Sequence, residues 1–126
     1  PAADLASFSA GMAYLNMKDY NAAIEYLKDF SSDDILLSAL AKGAIGDAYA
    51  QLDQIDQALN YYTQAIKASE NVYTSPKYLF KAGLFSSALD KNSQALSYFK
   101  RIKNDYPTSE EASQVEIQIG RLENIN

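Results

Sequence analysis

Apolar side chains recur at helical spacing along almost the whole chain, and strand-like alternation is nearly absent. Leu5, Phe8, Met12 and Leu15 mark a first helix over about residues 4–17, with Asp19-Tyr20-Asn21 as the turn after it. Ala23, Ile24, Leu27 and Phe30 line a second helix to about residue 30. Ser31-Ser32-Asp33-Asp34 reads as the start of a third, because short oxygen side chains accept from the unpaired N–H groups of a first turn. That helix runs to about Leu52 and carries Ile35, Leu36, Leu40, Ala44, Ile45, Ala48 and Tyr49. A fourth, after Asp53-Gln54, carries Ile55, Ala58, Leu59, Tyr62 and Ile66. Residues 69–76 form the longest stretch without a period. Pro76 suits the first turn of a fifth helix holding Leu79, Ala82, Leu84, Phe85 and Leu89. Asp90-Lys91-Asn92 leads into a sixth with Ala95, Leu96, Phe99 and Ile102. Beyond Pro107, Thr108-x-x-Glu111 is a capping-box pattern opening a seventh, striped by Ala112, Val115, Ile119 and Leu122.

Three sets of residues repeat within this pattern: Gly11/Ala23/Leu27, Gly46/Ala58/Tyr62 and Gly83/Ala95/Phe99, at intervals of 35 and 37 residues. Periodicity of this kind marks a stack of like helical units, and such stacks offer extended surfaces for holding other molecules. Glycine inside a helix costs roughly 0.5–1 kcal/mol relative to alanine. Its recurrence at one register implies close approach of a paired helix. Ala23, Ala58 and Ala95 are expected to supply the other small face of that contact, with Leu27, Tyr62 and Phe99 filling the space further along.

The pattern resembles the tetratricopeptide repeat, a 34-residue helix–turn–helix unit with a W-x2-L-G-x2-Y…A-x3-F…P signature. Gly11-x-x-Tyr14 with Ala23-Ile24 and Leu27 is similar to one copy, and Ile45-Gly46-x-x-Tyr49 with Ala58-Leu59 and Tyr62 to a second. Ala82-Gly83 with Ala95-Leu96, Phe99 and Pro107 is similar to a third. The resemblance implies an all-α fold: a right-handed superhelical stack of three helix hairpins plus a C-terminal capping helix. It implies one domain over 1–126, with repeats at about 4–37, 39–72 and 76–108 and the capping helix at about 109–124. Some positions depart from the signature. The usual large residue at its fourth position is Ser7, Lys42 and Leu79, and Ser86 stands where the third tyrosine belongs. Extra residues in the second interval fall in the 69–76 segment.

Composition narrows the function classes. The 126 residues are 48% hydrophobic and 21% charged, which suits one folded domain. No apolar run approaches the roughly 20 residues that span a bilayer, so no direct membrane insertion is expected. Cysteine and histidine are both absent. That removes disulfides, thiolate metal sites and most general-base or triad designs, so no catalytic, metal or cofactor site is expected. Asp33-Asp34 and Glu110-Glu111 are paired acids at helix starts, where the helix dipole accounts for them. The net charge of −5 is divided as −6 over residues 1–70 and +1 over 71–126. An acidic first half argues against nucleic acid as partner. With Pro1 and no methionine at its start, the chain is expected to be a piece of a longer polypeptide.

In the family it resembles, partners lie in a groove lined by the first helix of each repeat. Carried over position by position, that groove would take Leu5, Phe8, Met12, Leu15 and Asn16 from the first repeat. The second would give Leu40, Gly43, Asp47, Ala50 and Gln51, and the third Lys77, Phe80, Leu84, Ser87 and Ala88. The family's best-known groove grips a terminal carboxylate with Lys and Asn. Phe8, Gly43 and Phe80 stand at the Lys-type positions and Met12, Asp47 and Leu84 at the Asn-type ones, so no such clamp is expected. Leu5, Phe8, Met12, Leu15, Asp47, Gln51, Phe80 and Leu84 are the candidate partner-binding residues. Three occupants suit the apolar stripe of the first helix: a preceding repeat, a partner protein or peptide, and a second copy in a homodimer. Tyr26, Tyr61 and Tyr98 recur one residue before Leu27, Tyr62 and Phe99 and form a ladder, read as packing between repeats or as a binding stripe.

The resemblance implies a non-catalytic protein–protein interaction scaffold for a peptide or helix of a partner. The alternative is a self-association or tethering module of a larger membrane-anchored protein. The Tyr106-Pro107-Thr108-Ser109 end is similar to bacterial cell-envelope proteins of this family. That likeness implies a periplasmic or envelope location, a role in envelope assembly, and the cytoplasm as the alternative.

Overall fold

Side-chain and backbone chemistry at the turns sets where each helix stops. Lys18, Asp53 and Asp90 each lie seven residues beyond a repeat glycine and adopt left-handed backbone, with φ of 64°, 60° and 59°. This conformation folds the chain back so that the next N–H reaches an orphan carbonyl of the preceding helix. Asp19 N donates to Tyr14 O at 2.9 Å, Gln54 N to Tyr49 O at 2.9 Å, and Lys91 N to Ser86 O at 2.8 Å. The same C-terminal closure therefore recurs in each hairpin.

The computed structural model describes residues 2–125, with side chains from Leu5 onward. Pro1 and Asn126, the ends of the expected domain, lie outside the described residues. The described chain is helical with no strand. The helices are α1 (Ala2–Asn16), α2 (Tyr20–Asp29), α3 (Ile35–Gln51), α4 (Ile55–Ala68), α5 (Ser75–Ala88), α6 (Asn92–Asp105) and α7 (Val115–Glu123). A 3-10 turn at Glu111–Gln114 precedes α7. None of the described helices is long and apolar enough to cross a membrane.

Two boundaries differ from the sequence expectation. The first turn lies at Met17–Asp19, and Tyr20 and Asn21 are already helical, because the Asp19 carboxylate accepts from Ala22 N at 3.2 Å and caps α2. Ahead of the last helix the bonding hydroxyl is that of Ser109, not Thr108, and α7 itself starts only at Val115, with Gln114 at its N-cap and no side-chain cap bond. The Ser109 hydroxyl accepts from Ala112 N at 3.1 Å and donates to Tyr106 O at 2.7 Å. Asp34 caps α3 as expected, accepting from Leu36 N and Leu37 N at 2.9 and 3.1 Å.

The chain divides into two compact units, through Ser69 and from Glu70. The first holds the α1/α2 and α3/α4 hairpins. Ile24, Leu27, Phe30, Ala41, Ala44, Ile45 and Ala48 form its central cluster. The second unit holds the α5/α6 hairpin and α7, and buries Tyr78, Leu79, Ala82, Ala95, Phe99, Ile102, Val115, Ile119 and Leu122. Residues 69–76 are more ordered than their lack of period suggests. The Asn71 carboxamide accepts from Tyr73 N and Thr74 N, both at 2.8 Å, and the Ser75 hydroxyl accepts from Asn71 N at 2.9 Å.

The repeat glycines do mark a close helix contact, but the residue facing each is the bulky one. A Cβ on Gly11 would fall 2.5 Å from Leu27 Cγ, one on Gly46 2.7 Å from Tyr62 Cε1, and one on Gly83 2.5 Å from Phe99 Cε1. Ala23, Ala58 and Ala95 are fully buried beside these contacts. Each glycine thus seats a large side chain from the opposite helix of its own hairpin, which offsets its conformational cost.

Candidate functional site

The first helix presents less open apolar surface than its stripe implies. Leu5 is 53% exposed, whereas Phe8, Met12 and Leu15 are half-buried and pack against the central cluster of the first unit. Phe8 lies on Phe30 with ring centroids 5.1 Å apart. The expectation of one open face is corrected here: the side of α1 that turns toward α2 and α3 carries three of the four apolar residues.

The second-repeat candidates divide in a similar way. Gln51 is exposed, and Leu40 and Ala50 are half-exposed. Gly43 is buried. Asp47 accepts from the Tyr62 hydroxyl at 2.5 Å, so this groove-position carboxylate is engaged within its own hairpin. In the second unit, Phe80 and Leu84 are half-buried, with Phe80 meeting Phe99 edge-on at 5.7 Å. Lys77 is exposed, and its ammonium lies 4.9 Å from the ring centroid of Tyr78.

A depression in the first unit sits at the start of α3 and shares only Leu5 with the expected stripe. It measures about 580 Å³ and is lined by Leu5, Phe30, Leu37 and the Ser31-Ser32-Asp33-Asp34 segment. Its apolar residues come from three separate stretches, and its rim is acidic and hydroxylic. Ile35, 63% exposed, and Leu36 continue the apolar surface. Sequence reasoning placed Asp33-Asp34 at a helix start but missed this depression, because only the fold brings Leu5 beside Phe30 and Leu37. The exposed Ile35-Leu36 pair directly after the cap was the available signal.

The tyrosine ladder is a set of pairs inside hairpins. Tyr26 stacks on Tyr14 at 5.3 Å and Tyr61 on Tyr49 at 5.6 Å between centroids. In the third hairpin the position opposite Tyr98 is Ser86, whose buried hydroxyl has no hydrogen-bond partner among the described residues. Lys28 ties the first two hairpins together. Its ammonium donates to the Tyr49 hydroxyl at 2.8 Å and lies 5.4 and 5.9 Å from the Tyr49 and Tyr61 centroids. The Tyr49 bond holds the Lys28 pKa above the ordinary lysine value, against a smaller opposing effect of burial.

Family models described as tetratricopeptide repeat match residues 6–30 and 39–72, and a further one matches 77–109. The chain belongs to the tetratricopeptide repeat family. Solved TPR domains share its fold. The first TPR of Spaghetti (RPAP3), bound to the HSP90 peptide SRMEEVD, aligns with TM-score 0.74 at 18% identity, covering 97% of this chain and 91% of that one. The TPR2B domain of yeast Sti1, in a complex with pHsp70, aligns with TM-score 0.73 at 14% identity over all of both chains. MamA protein aligns with TM-score 0.73 at 25% identity, covering 94% of this chain and 61% of that one. A comparison with curated protein sequences finds no match. In TPR terms, the departures Lys42 and Ser86 and the groove-position Asp47 each change a local contact. Lys42 reaches the Tyr61 ring at 5.9 Å, Asp47 pairs with Tyr62, and Ser86 leaves a hydroxyl buried.

Proposed function

We propose that this TPR domain is a non-catalytic scaffold that holds a peptide or helix of a partner protein. The depression beside Phe30 carries the reading. Leu5, Phe30 and Leu37 give it apolar surface, and Asp33 and Asp34 give it an acidic edge. Over residues 1–70 the net charge is −6. An apolar segment flanked by Lys or Arg complements both features, with the charges steering approach and the apolar side chains supplying affinity. Leu5 and Gln51 are direct contacts in the first unit, while Phe8, Met12, Leu15 and Asp47 hold the surrounding structure. Phe80 and Leu84 offer half-exposed apolar surface in the second.

With Phe8, Gly43 and Phe80 in place of lysines, the bound segment is internal rather than a free chain end. Fluorescence anisotropy with labelled peptides tests this. A Lys-flanked apolar peptide should bind whether its C-terminus is free or amidated, weaken as salt rises, and weaken with Leu5→Glu. SRMEEVD should not bind. Binding that requires the free carboxylate would overturn the reading. Dimerisation in sedimentation with no peptide binding would favour self-association or tethering instead. A setting in the bacterial envelope belongs to the same proposal, with fractionation of expressing cells as its check.

A further inference from the structure

The lysines of α6 show the usual arrangement of a surface cation: Lys100 pairs with Glu123 at 3.2 Å and Lys103 with Glu116 at 2.8 Å. Lys28 of α2 and Lys42 of α3 depart from it. Residues 1–70 hold four lysines and no arginine against ten acids. Even so, these two lysines come to one ring, each ammonium lying 5.9 Å from the Tyr61 centroid. Neither forms an ion pair among the described residues. Lys42 also stands where the repeat signature calls for a large apolar side chain, a position that Ser7 and Leu79 fill in the other two repeats.

The hydrogen bonding around the pair has one polarity. The Tyr49 hydroxyl oxygen accepts from Lys28 at 2.8 Å, so its own proton is directed away from that ammonium. A hydroxyl that accepts from a cation is polarised into a stronger donor. The Tyr49 O–H, the remaining N–H groups of Lys28 and those of Lys42 therefore gather donors with no anionic acceptor among the described residues. Lys28 is exposed and Lys42, Tyr49 and Tyr61 are half-buried, so a solute can reach the cluster. The Tyr49 bond, by raising the Lys28 pKa, keeps that charge in place through neutral and mildly alkaline pH.

We propose that Lys28, Lys42 and Tyr49 form a binding site for a phosphate group. A phosphate dianion matches two ammoniums, where a carboxylate satisfies one, and its several oxygens accept from all three side chains. The flexible stems of the lysines let both ammoniums close on one such group. A free phosphate ion and a phosphorylated side chain of a partner protein share this chemistry. The site goes beyond the function proposed above and has no residue in common with the depression beside Phe30, so each reading can fail without the other.

Amide NMR spectra of the intact protein test it, with sodium chloride exchanged at constant ionic strength for sodium phosphate or for a phosphoserine tripeptide. Saturable shifts at Lys28, Lys42 and Tyr49 are expected with at least one of the two phosphates. Lys28→Gln and Lys42→Gln should each weaken binding about fivefold or more, and Tyr49→Phe by roughly two- to threefold. Lys42→Gln is the decisive variant, because Lys42 makes no hydrogen bond among the described residues and its loss should leave the melting temperature near that of the parent. Tighter binding of the phosphopeptide would assign the site to a phosphorylated partner, and tighter binding of inorganic phosphate to the free ion. Absence of saturable shifts, or equal affinity in the Lys42→Gln protein, would overturn the proposal and leave the two lysines as cation–π contacts of Tyr61.

Discussion

The Asp47 carboxylate accepts a hydrogen bond from the Tyr62 hydroxyl at 2.5 Å, and the two residues are coupled by position as well as by contact. The same pair of repeat positions holds Met12 and Leu27 in the first hairpin and Leu84 and Phe99 in the third. Where the residue over the glycine is apolar, so is its companion. Where it is a buried tyrosine, the companion is an oxygen acceptor, because a hydroxyl taken out of water needs one.

Asp47→Leu alone is expected to destabilise by about 1–3 kcal/mol through loss of this bond. Asp47→Leu with Tyr62→Phe, which recreates the apolar pairing of the third hairpin, should recover most of that loss. Urea denaturation of the four members of the cycle measures it. Single-variant losses that simply add in the double variant would show that the bond carries no coupling.

Gly83→Ala should cost about 1–3 kcal/mol, since the added Cβ meets the Phe99 ring at 2.5 Å. Gly120→Ala should instead stabilise by roughly 0.5–1 kcal/mol, because it gains helix propensity in open space. Thermal melts of the two variants are expected to shift in opposite directions.

Much of this fold could be read from the chain because the Gly, Ala and bulky positions of a hairpin lie within seventeen residues of one another. What was not legible depended on contacts between hairpins and on side-chain bonds within the connecting segments. The stripe Phe8, Met12, Leu15 has an apolar period whether it faces solvent or the neighbouring helices, and the fold turns it inward. Thr108 and Ser109 are both able to accept from a backbone N–H further along, and it is Ser109 that accepts from Ala112 N. The Asn71 turn went unseen because its order comes from side-chain bonds that carry no hydrophobic period.

Phe8→Glu combined with Met12→Glu is therefore expected to lower stability by at least about 2 kcal/mol, as charges are forced against the central cluster. Circular dichroism in urea checks this. A double variant as stable as the parent would return these side chains to an open surface.

Ser86→Ala should stabilise by about 1 kcal/mol, because it removes a buried hydroxyl that has no hydrogen-bond partner among the described residues. A lower melting temperature would reveal that the hydroxyl is satisfied.

Burial raises the Tyr98 pKa, partly opposed by Arg101 nearby. The folded state therefore holds this proton more tightly than the unfolded chain does. Its effect on stability is constant below the unfolded tyrosine value near pH 10 and destabilising as pH rises above it. Tyr98→Phe should flatten the fall of stability in that alkaline range, and absorbance at 295 nm should show the parent losing its last phenolic protons at higher pH than the variant.

The large side chain over each of Gly11, Gly46 and Gly83 comes from sixteen residues further along the same hairpin. Closing such a short loop costs little chain entropy, so the decisive contacts of a hairpin form without waiting for distant sequence. A chain assembled from near neighbours is expected to fold on a timescale of the order of microseconds to milliseconds. Nucleation is open to any of the three hairpins, with growth passing to the adjacent one. During synthesis, the α1/α2 pair can close as soon as Leu27 clears the ribosome, without waiting for α3 to α7.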